Sequence, residues 1–151
     1  MRKTVLLARP HPFIVAEMKP FLEHGGYDAI KLENLADLAI QARSSAGVVI
    51  SLAVSSSLGE SAQEVLTRLR QTAPDVPVLF AGMLALDKST PSLLRLAQHM
   101  GVEVTIAGVA PGFEHAIALG KPQTFVYLSK DDLADAARRA IAQRMVQRHF
   151  H

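Results

Sequence analysis

The segment 4–12, TVLLARPHP, changes from a mostly apolar run to a polar turn at Arg9. A second run, GVVISLA at 47–53, changes in the same way at Ser51. Short runs rich in leucine and β-branched side chains are typical of buried strands in a parallel sheet. The carboxyl ends of such strands lie side by side in open α/β sheets, and ligands bind there. The two segments therefore predict an α/β fold whose functional edge contains Arg9 and Ser51.

Similar apolar runs alternate with amphipathic segments along the rest of the chain, which predicts six βα units. Because a helix between two strands requires a crossover connection, the sheet should be parallel, with helices on both faces. A length of 151 residues is typical of one domain, so we expect residues 1–151 to form a single three-layer unit. The predicted strands lie near 4–8, 28–32, 47–52, 77–81, 102–107 and 124–128, and the predicted helices near 13–24, 35–44, 60–72, 91–100, 112–119 and 130–147.

Capping signals set several of the predicted helix boundaries. Gly101 and Gly120 each follow a predicted helix and suit a left-handed C-terminal cap. The pair Thr90-Pro91 predicts the start of the fourth helix, with a threonine cap and a proline at the first position. Ser129 predicts the start of the last helix, since Asp132 stands three residues later as in a capping box.

Composition excludes several function classes. The chain has no cysteine, which excludes disulfides, thiolate metal sites and cysteine nucleophiles. A net charge of +2 is too small to imply a polyanionic partner, so we expect no direct binding of nucleic acid. The apolar runs are too short to span a bilayer and the first ends at Arg9, so we expect neither a membrane segment nor a signal peptide, and a cytoplasmic location. No glycine-rich phosphate loop or helical pair of histidine ligands occurs, and we expect no cofactor.

Three segments carry a resemblance to response-regulator receiver (CheY-like) domains. The segment 5–12, VLLARPHP, resembles that family's first strand and loop, four hydrophobic residues followed by Asp-Asp-His-Pro, in which His11 and Pro12 match. The segment 65–79 is similar to the family's third helix and fourth strand. The segment FVYLSK at 125–130 resembles its last strand and the lysine that follows. The resemblance implies a flavodoxin-like fold with a parallel sheet of five to six strands.

The departures from the receiver pattern imply a degenerate, or pseudo-receiver, domain. In the family an acidic pair holds a divalent cation, and an aspartate at the end of the third strand accepts a phosphoryl group. The matching positions here are Arg9, Pro10 and Ser51, and the fourth-strand Thr or Ser falls at Gly82. Only Lys130 is retained. A hard cation needs carboxylate oxygens, and a serine hydroxyl cannot form an acyl phosphate.

A difference in length also separates this chain from the receiver pattern. Residues 84–123 lie between the fourth strand and the strand before Lys130, where receivers have room for one helix. An extra βα unit near 102–119 is predicted, with Val102, Val104 and Ile106 alternating as in a strand. Either the unit lengthens the sheet to six strands or it moves the last strand, and the second arrangement would separate Lys130 from the edge.

A second resemblance, to cobalamin-binding domains, leads to the alternative function. Their pattern is Asp-x-His-x-x-Gly after the first strand, Ser-x-Leu at the third and Gly-Gly after the fourth. Here His11, Ser51 and Gly82 match, while Arg9 and Ile14 replace the aspartate and the first glycine. A small-ligand or enzymatic domain of the same architecture would place a deep pocket around His11 and Ser51, whereas an adaptor would have a shallow edge.

We therefore expect a non-catalytic, regulatory protein-interaction module of bacterial-type signalling. By the resemblance, the final strand and helix would contact a signalling kinase, an output domain or a second copy of the chain. The edge itself gathers two cations, Arg9 and Lys130, without a neighbouring acid in the sequence pattern. Charge complementarity then predicts that the edge binds an anion, with Ser55 and the amides beside it contributing. The residues expected at this edge are Arg9, His11, Ser51, Ser55, Gly82 and Lys130.

Overall fold

The computed structural model describes residues 3–9, 14–52, 61–109 and 119–150, with backbone only at 14 and 15. Six parallel strands form one sheet in the order β2-β1-β3-β4-β6-β5. The four central strands are apolar and almost entirely buried, as expected for a sheet covered on both faces. The strands are β1 (Lys3–Arg9), β2 (Tyr27–Lys31), β3 (Gly47–Ser51), β4 (Val78–Gly82), β5 (Thr105–Gly108) and β6 (Thr124–Ser129).

Helices cover both faces of the sheet, which confirms the predicted three-layer α/β architecture. A π-helical turn, Ile14–Met18, leads into the first α-helix, and a 3-10 turn, Leu35–Asp37, leads into the second. None of the described helices combines the length and the apolar character needed to cross a membrane. The α-helices are α1 (Lys19–His24), α2 (Leu38–Arg43), α3 (Ala62–Thr72), α4 (Leu86–Met100), α5 (Lys130–Ala134) and α6 (Ala136–His149).

Two apolar clusters, one on each face, hold the layers together. On one face, Leu7 of β1 packs in a cluster with Phe21 of α1 and Met145 of α6. On the other face, Leu6 packs in a cluster with Leu66 of α3 and further side chains from α2 and α4. Neighbouring residues of a strand thus serve opposite clusters, which is the period-2 pattern of a strand buried on both sides.

Two of the predicted helix boundaries are confirmed by their cap geometry. The Ser129 hydroxyl accepts the Asp132 N–H, and the Asp132 carboxylate accepts the Ser129 N–H, so that a complete capping box begins α5. Gly101 ends α4 in the left-handed region with φ of 70°.

Two other helix predictions are wrong. The fourth helix begins at Leu86 rather than at the Thr90-Pro91 pair, and Pro91 lies inside it. Proline is tolerated there because Pro91 and Asp87, whose carbonyl loses its helical donor, are both exposed to water. The last helix is two helices, since Asp135 adopts an extended conformation that ends α5 and caps α6 by accepting the Arg138 N–H.

The inserted segment contributes a strand at the edge of the sheet. β5 begins at Thr105, later than predicted, and Val102 is exposed. Ile106 packs against the apolar cluster on the face of the sheet that α2, α3 and α4 cover. Residues 110–118 lie outside the described residues, so the helical half of the predicted unit, 112–119, stays a prediction except that Leu119 is in a turn. Because β5 pairs outside β6, β6 remains next to β4. The end of β6 therefore keeps its place beside the end of β4.

The end of α6 and Phe150, which follows it, pack against the amino ends of the strands. His149 and Phe150 are fully buried, and the Phe150 ring occupies the space where a side chain at Gly47 would lie. The Tyr27 hydroxyl donates a hydrogen bond to the Phe150 carbonyl at 3.0 Å. These contacts join α6 to the starts of β2 and β3.

Candidate functional site

The carboxyl ends of β1, β3, β4 and β6 form one edge of the sheet, which we call the carboxyl edge. Residue Ser51 is in register with Ala81, and Gly82 is in register with Ser129. The structure thus brings the ends of four strands together as predicted. His11 and Ser55 lie outside the described residues, so their predicted contribution to this edge stays a prediction.

Arg9 occupies an unexpected face of the sheet because of a bulge in β1. Leu7 pairs with Val49, but it is Arg9 rather than Ala8 that pairs with Ile50. The extra residue shifts the alternation by one, so that Arg9 follows Ala8 onto the side of α3 and α4 instead of sharing the side of Leu7. Bulges re-aim side chains in this way at functional edges of sheets.

The Arg9 guanidinium is buried and bonded to the main chain. Its exposed fraction is 4%, and its Nη1 donates to the Ser51 carbonyl oxygen at 2.9 Å. Burial lowers the pKa of the Arg9 guanidinium from its ordinary value, although an arginine retains its charge in proteins. A positive charge is therefore held directly against the strand end that carries Ser51.

Ser51 is itself enclosed at the end of β3, with an exposed fraction of 1%. Its carbonyl accepts the Arg9 bond, and the side chain stands at the position that matches the phosphoryl acceptor of receivers. Among the residues that the structure describes, no group of three or more histidine, aspartate and glutamate side chains lies together as a metal ion would require.

Gly82 lies against the Tyr127 hydroxyl, which fills the space beside it. A Cβ atom at Gly82 would lie 2.6 Å from the Tyr127 oxygen, so any other residue there would displace the tyrosine. The Tyr127 hydroxyl donates to the Leu84 carbonyl and accepts from Ser89 Oγ at 2.8 Å. Burial raises the pKa of the Tyr127 phenol, which keeps its hydroxyl protonated as the donor to Leu84. The loop after β4 is thus fastened to β6 and α4.

Lys130 begins a helix on the face of the sheet opposite to the α3–α4 side that Arg9 faces. It is exposed at the first position of α5, and α5 packs on the face that carries α1 and α6. Its neighbour Asp132 is buried and forms an ion pair with Arg138 at 2.6 Å. The helix that Lys130 begins and the side chain of Arg9 therefore lie on opposite faces of the sheet, and joint binding of an anion by the two cations stays a prediction.

Arg9 instead lines a cleft between the amino end of α3 and the middle of α4, which we call the α3–α4 cleft. The cleft has a volume of about 340 Å³, and its lining also includes Leu52, Ser61, Ser92 and Arg95. A smaller cleft with a volume of about 210 Å³ adjoins it and shares Leu52 and Ser92. The smaller cleft is lined further by Gly82, Leu84, Lys88 and Tyr127.

Sequence reasoning missed most of the residues of the α3–α4 cleft. The position of Ser61 at the start of a helix could have been found from the sequence, because Ser61 and Glu64 have the spacing of a capping box. The structure contains that box. Ser92 and Arg95 had no such signal, since Ser92 is half-buried and Arg95 is exposed on α4, and both reach the site only through the packing of α4 beside α3.

Comparisons with solved structures assign the fold. The chain is similar to a sensor protein from Polaromonas sp., with 14% identity, coverage of 97% of this chain and 98% of that chain, and a TM-score of 0.56. It is similar to the receiver domain of a sensor histidine kinase from Pseudomonas aeruginosa, solved with a coordinated magnesium ion, with 18% identity, coverage of 99% and 98%, and a TM-score of 0.55. It has the receiver fold, a six-stranded version of the flavodoxin-like architecture.

The chain is also similar to part of a longer solved chain. Against NtrX from Brucella abortus the identity is 16% and the TM-score 0.53, with 98% of this chain but only 28% of that chain covered. A comparison of the sequence with protein-family models gives no match. A comparison with curated proteins gives none either.

Proposed function

We propose that this protein is a degenerate receiver, a non-catalytic regulatory module of bacterial signal transduction that acts by binding another protein. The observation that carries the proposal is the arrangement at the end of β3. Ser51 is enclosed there, and Arg9 donates to its carbonyl oxygen at 2.9 Å. A receiver that takes up a phosphoryl group needs an accessible carboxylate and a bound cation at this point of the fold.

The chemistry of phosphoryl transfer explains why this arrangement opposes it. The transferred group passes through a transition state whose negative charge is stabilised by a metal ion held between acidic residues. Here the positions that match those acids are Arg9 and Pro10, and a guanidinium repels a divalent cation. A serine hydroxyl lacks the carboxylate that forms an acyl phosphate, and Ser51 is closed to solvent.

Exposed apolar side chains at the carboxyl edge support a role in protein binding. Met83 and Leu84 follow β4 directly, and their exposed fractions are 49% and 57%. Adjacent large apolar residues that face water at a functional edge favour a protein contact. The final strand does not offer such a surface, contrary to expectation, because β6 is buried and pairs with β4 on one side and β5 on the other.

A phosphorylation assay tests the proposal. Incubation with acetyl phosphate and Mg²⁺, or with beryllofluoride and Mg²⁺, should leave the intact mass and the amide NMR spectrum of the protein unchanged. A receiver with its acids in place, treated in parallel, should respond to both reagents. A mass increase of one phosphoryl group, or saturable shifts around Ser51, would refute the proposal.

The nature of the partner requires a separate measurement. If the partner is a second copy bound through Met83 and Leu84, sedimentation velocity should show a dimer that Leu84→Ser weakens. Ile40→Ser, which alters an even more exposed apolar residue on α2, serves as the control. A monomer at all concentrations would leave a kinase or an output domain as the partner. A dimer that Leu84→Ser does not weaken would show that this surface is not the contact.

A further inference from the structure

We propose that the α3–α4 cleft binds a phosphate group, as inorganic phosphate or as a small phosphate monoester. This site goes beyond the proposed function, because the anion would bind as an intact ligand without transferring its phosphoryl group. It also differs from the anion site expected at Arg9 and Lys130, since Lys130 is not among the residues that line the cleft.

The charge of the cleft favours a dianion. Arg9 lies at its buried end and Arg95 at its exposed rim, and Lys88 lines the adjoining cleft. None of the described residues that line the two clefts is acidic. Arginine presents a planar fork of donors that matches the oxygens of a phosphate, and such charge-assisted bonds are stronger than neutral ones.

Ser92 and Arg95 are already arranged as a donor pair. They lie three residues apart on α4, and Arg95 Nη2 donates to Ser92 Oγ at 3.2 Å. Because Ser92 accepts in that bond, its own hydroxyl proton stays available to a ligand. The bond also holds the guanidinium beside the cleft, which reduces the rotamer entropy that binding would cost.

The amino end of α3 is not suited to bind the anion, which leaves the side of the cleft formed by α4. The Glu64 carboxylate accepts from the Ser61 N–H at 3.3 Å and from the Ser61 hydroxyl at 3.2 Å. The Ser61 donors are therefore occupied, and a carboxylate next to them repels a second anion. The anion should bind to Ser92 and Arg95, with the charge of Arg9 behind them, where the cleft is wide enough for a phosphate and several water molecules.

NMR titration with inorganic phosphate and with O-phosphoserine tests the site, with sodium chloride at matched ionic strength as the reference. The pH should be well above about 7, because the second pKa of a phosphate monoester is about 6 and inorganic phosphate loses its second proton only near neutral pH. We expect saturable amide shifts centred on Ser92 and Arg95, and about a tenfold weaker affinity in Arg95→Ala, the loss of one charge-assisted contact. Tighter binding of phosphoserine would identify an ester as the ligand, and equal affinities would identify free phosphate.

Two control variants locate the effect. Arg68→Ala removes an exposed arginine of α3 that does not line the cleft and should leave the affinity unchanged. Lys130→Ala should bind phosphate with the same affinity as the unmodified protein. Shifts that do not saturate, equal shifts in chloride, or an unchanged affinity in Arg95→Ala would overturn the proposal, as would an equal loss in Lys130→Ala. These outcomes are independent of the phosphorylation assay, which reports on covalent modification of the chain.

Discussion

The two ends of the sheet differ in how their polar groups are used. At the amino edge, formed by the starts of the strands, Arg70 donates to the carbonyl oxygens of Val76 and Pro122, and His149 bonds on both sides of its ring. At the carboxyl edge, Arg95 and Lys88 are exposed beside open clefts, and Leu84 faces water. One edge is closed by hydrogen bonds within the chain, whereas the other leaves donors at its surface.

This difference indicates that the amino edge mainly stabilises the fold and that the carboxyl edge mainly serves binding. Buried groups with all their hydrogen bonds formed hold the layers together, and their loss leaves unsatisfied partners. Cations beside a cleft contribute little to folding but favour a negatively charged ligand. Substitutions at the amino edge should therefore lower the free energy of unfolding most, and those at the carboxyl edge should mainly change binding.

The largest expected effect follows from Phe150→Ala. Phe150 is fully buried against Gly47, so the substitution should leave a cavity and lower the free energy of unfolding by about 3–5 kcal/mol. Urea unfolding measures the loss, and Gln147→Ala, an exposed change in the last turn of the same helix, should cost less than about 0.5 kcal/mol. Similar midpoints for the two variants would show that the end of α6 does not close the amino edge.

The next effect is a loss of stability in acid caused by His149. Nδ1 accepts the Gly120 N–H at 2.9 Å, and Nε2 must then donate to the Val78 carbonyl at 2.8 Å, so the ring is neutral. Burial, together with a smaller effect of the Arg70 charge and opposed in part by the bond to Val78, lowers the pKa of His149 to about 4. The unfolded chain binds this proton below about pH 6.5 while the folded chain does not. Stability should be full above that pH and fall towards pH 4 by about 3 kcal/mol.

The pH dependence of urea unfolding in the unmodified protein and in His149→Leu isolates this contribution. The variant will be less stable at neutral pH, but its stability should decline less between about pH 6.5 and 4, because it lacks the titrating ring. Parallel curves for the two proteins would exclude His149 as the source of the acid sensitivity.

The smallest effect is expected at the carboxyl edge, from Tyr127→Phe. The change removes the bond to the Leu84 carbonyl and the bond from Ser89, and it should cost about 1–2 kcal/mol of unfolding free energy. Amide exchange in residues 83–85 should increase more than exchange at the amino edge. A cost equal to that of Phe150→Ala would mean that the carboxyl edge is as closely fastened as the amino edge, and the contrast between the edges would fail.

Much of the layered fold could be predicted from local sequence. The apolar runs of β3 and β6 stand out because strands buried on both faces need apolar side chains at every position. The capping box at Ser129 and Asp132 could be predicted because its partners are three residues apart. The break at Asp135 and the position of Pro91 could not, since exposure to solvent in the folded protein decides whether each irregularity is tolerated.

The sequence by itself determined that the receiver positions carry Arg9, Pro10 and Ser51 in place of acids, because residue identity needs no structure. Only the tertiary structure decided on which face of the sheet the Arg9 side chain lies. The bulge between Leu7 and Arg9 arises from pairing with β3, and one inserted residue moves the side chain to the opposite face. The pairing of β6 with β4 and the packing of α5 on the face of α1 and α6 likewise depend on contacts between distant segments, which local patterns do not contain.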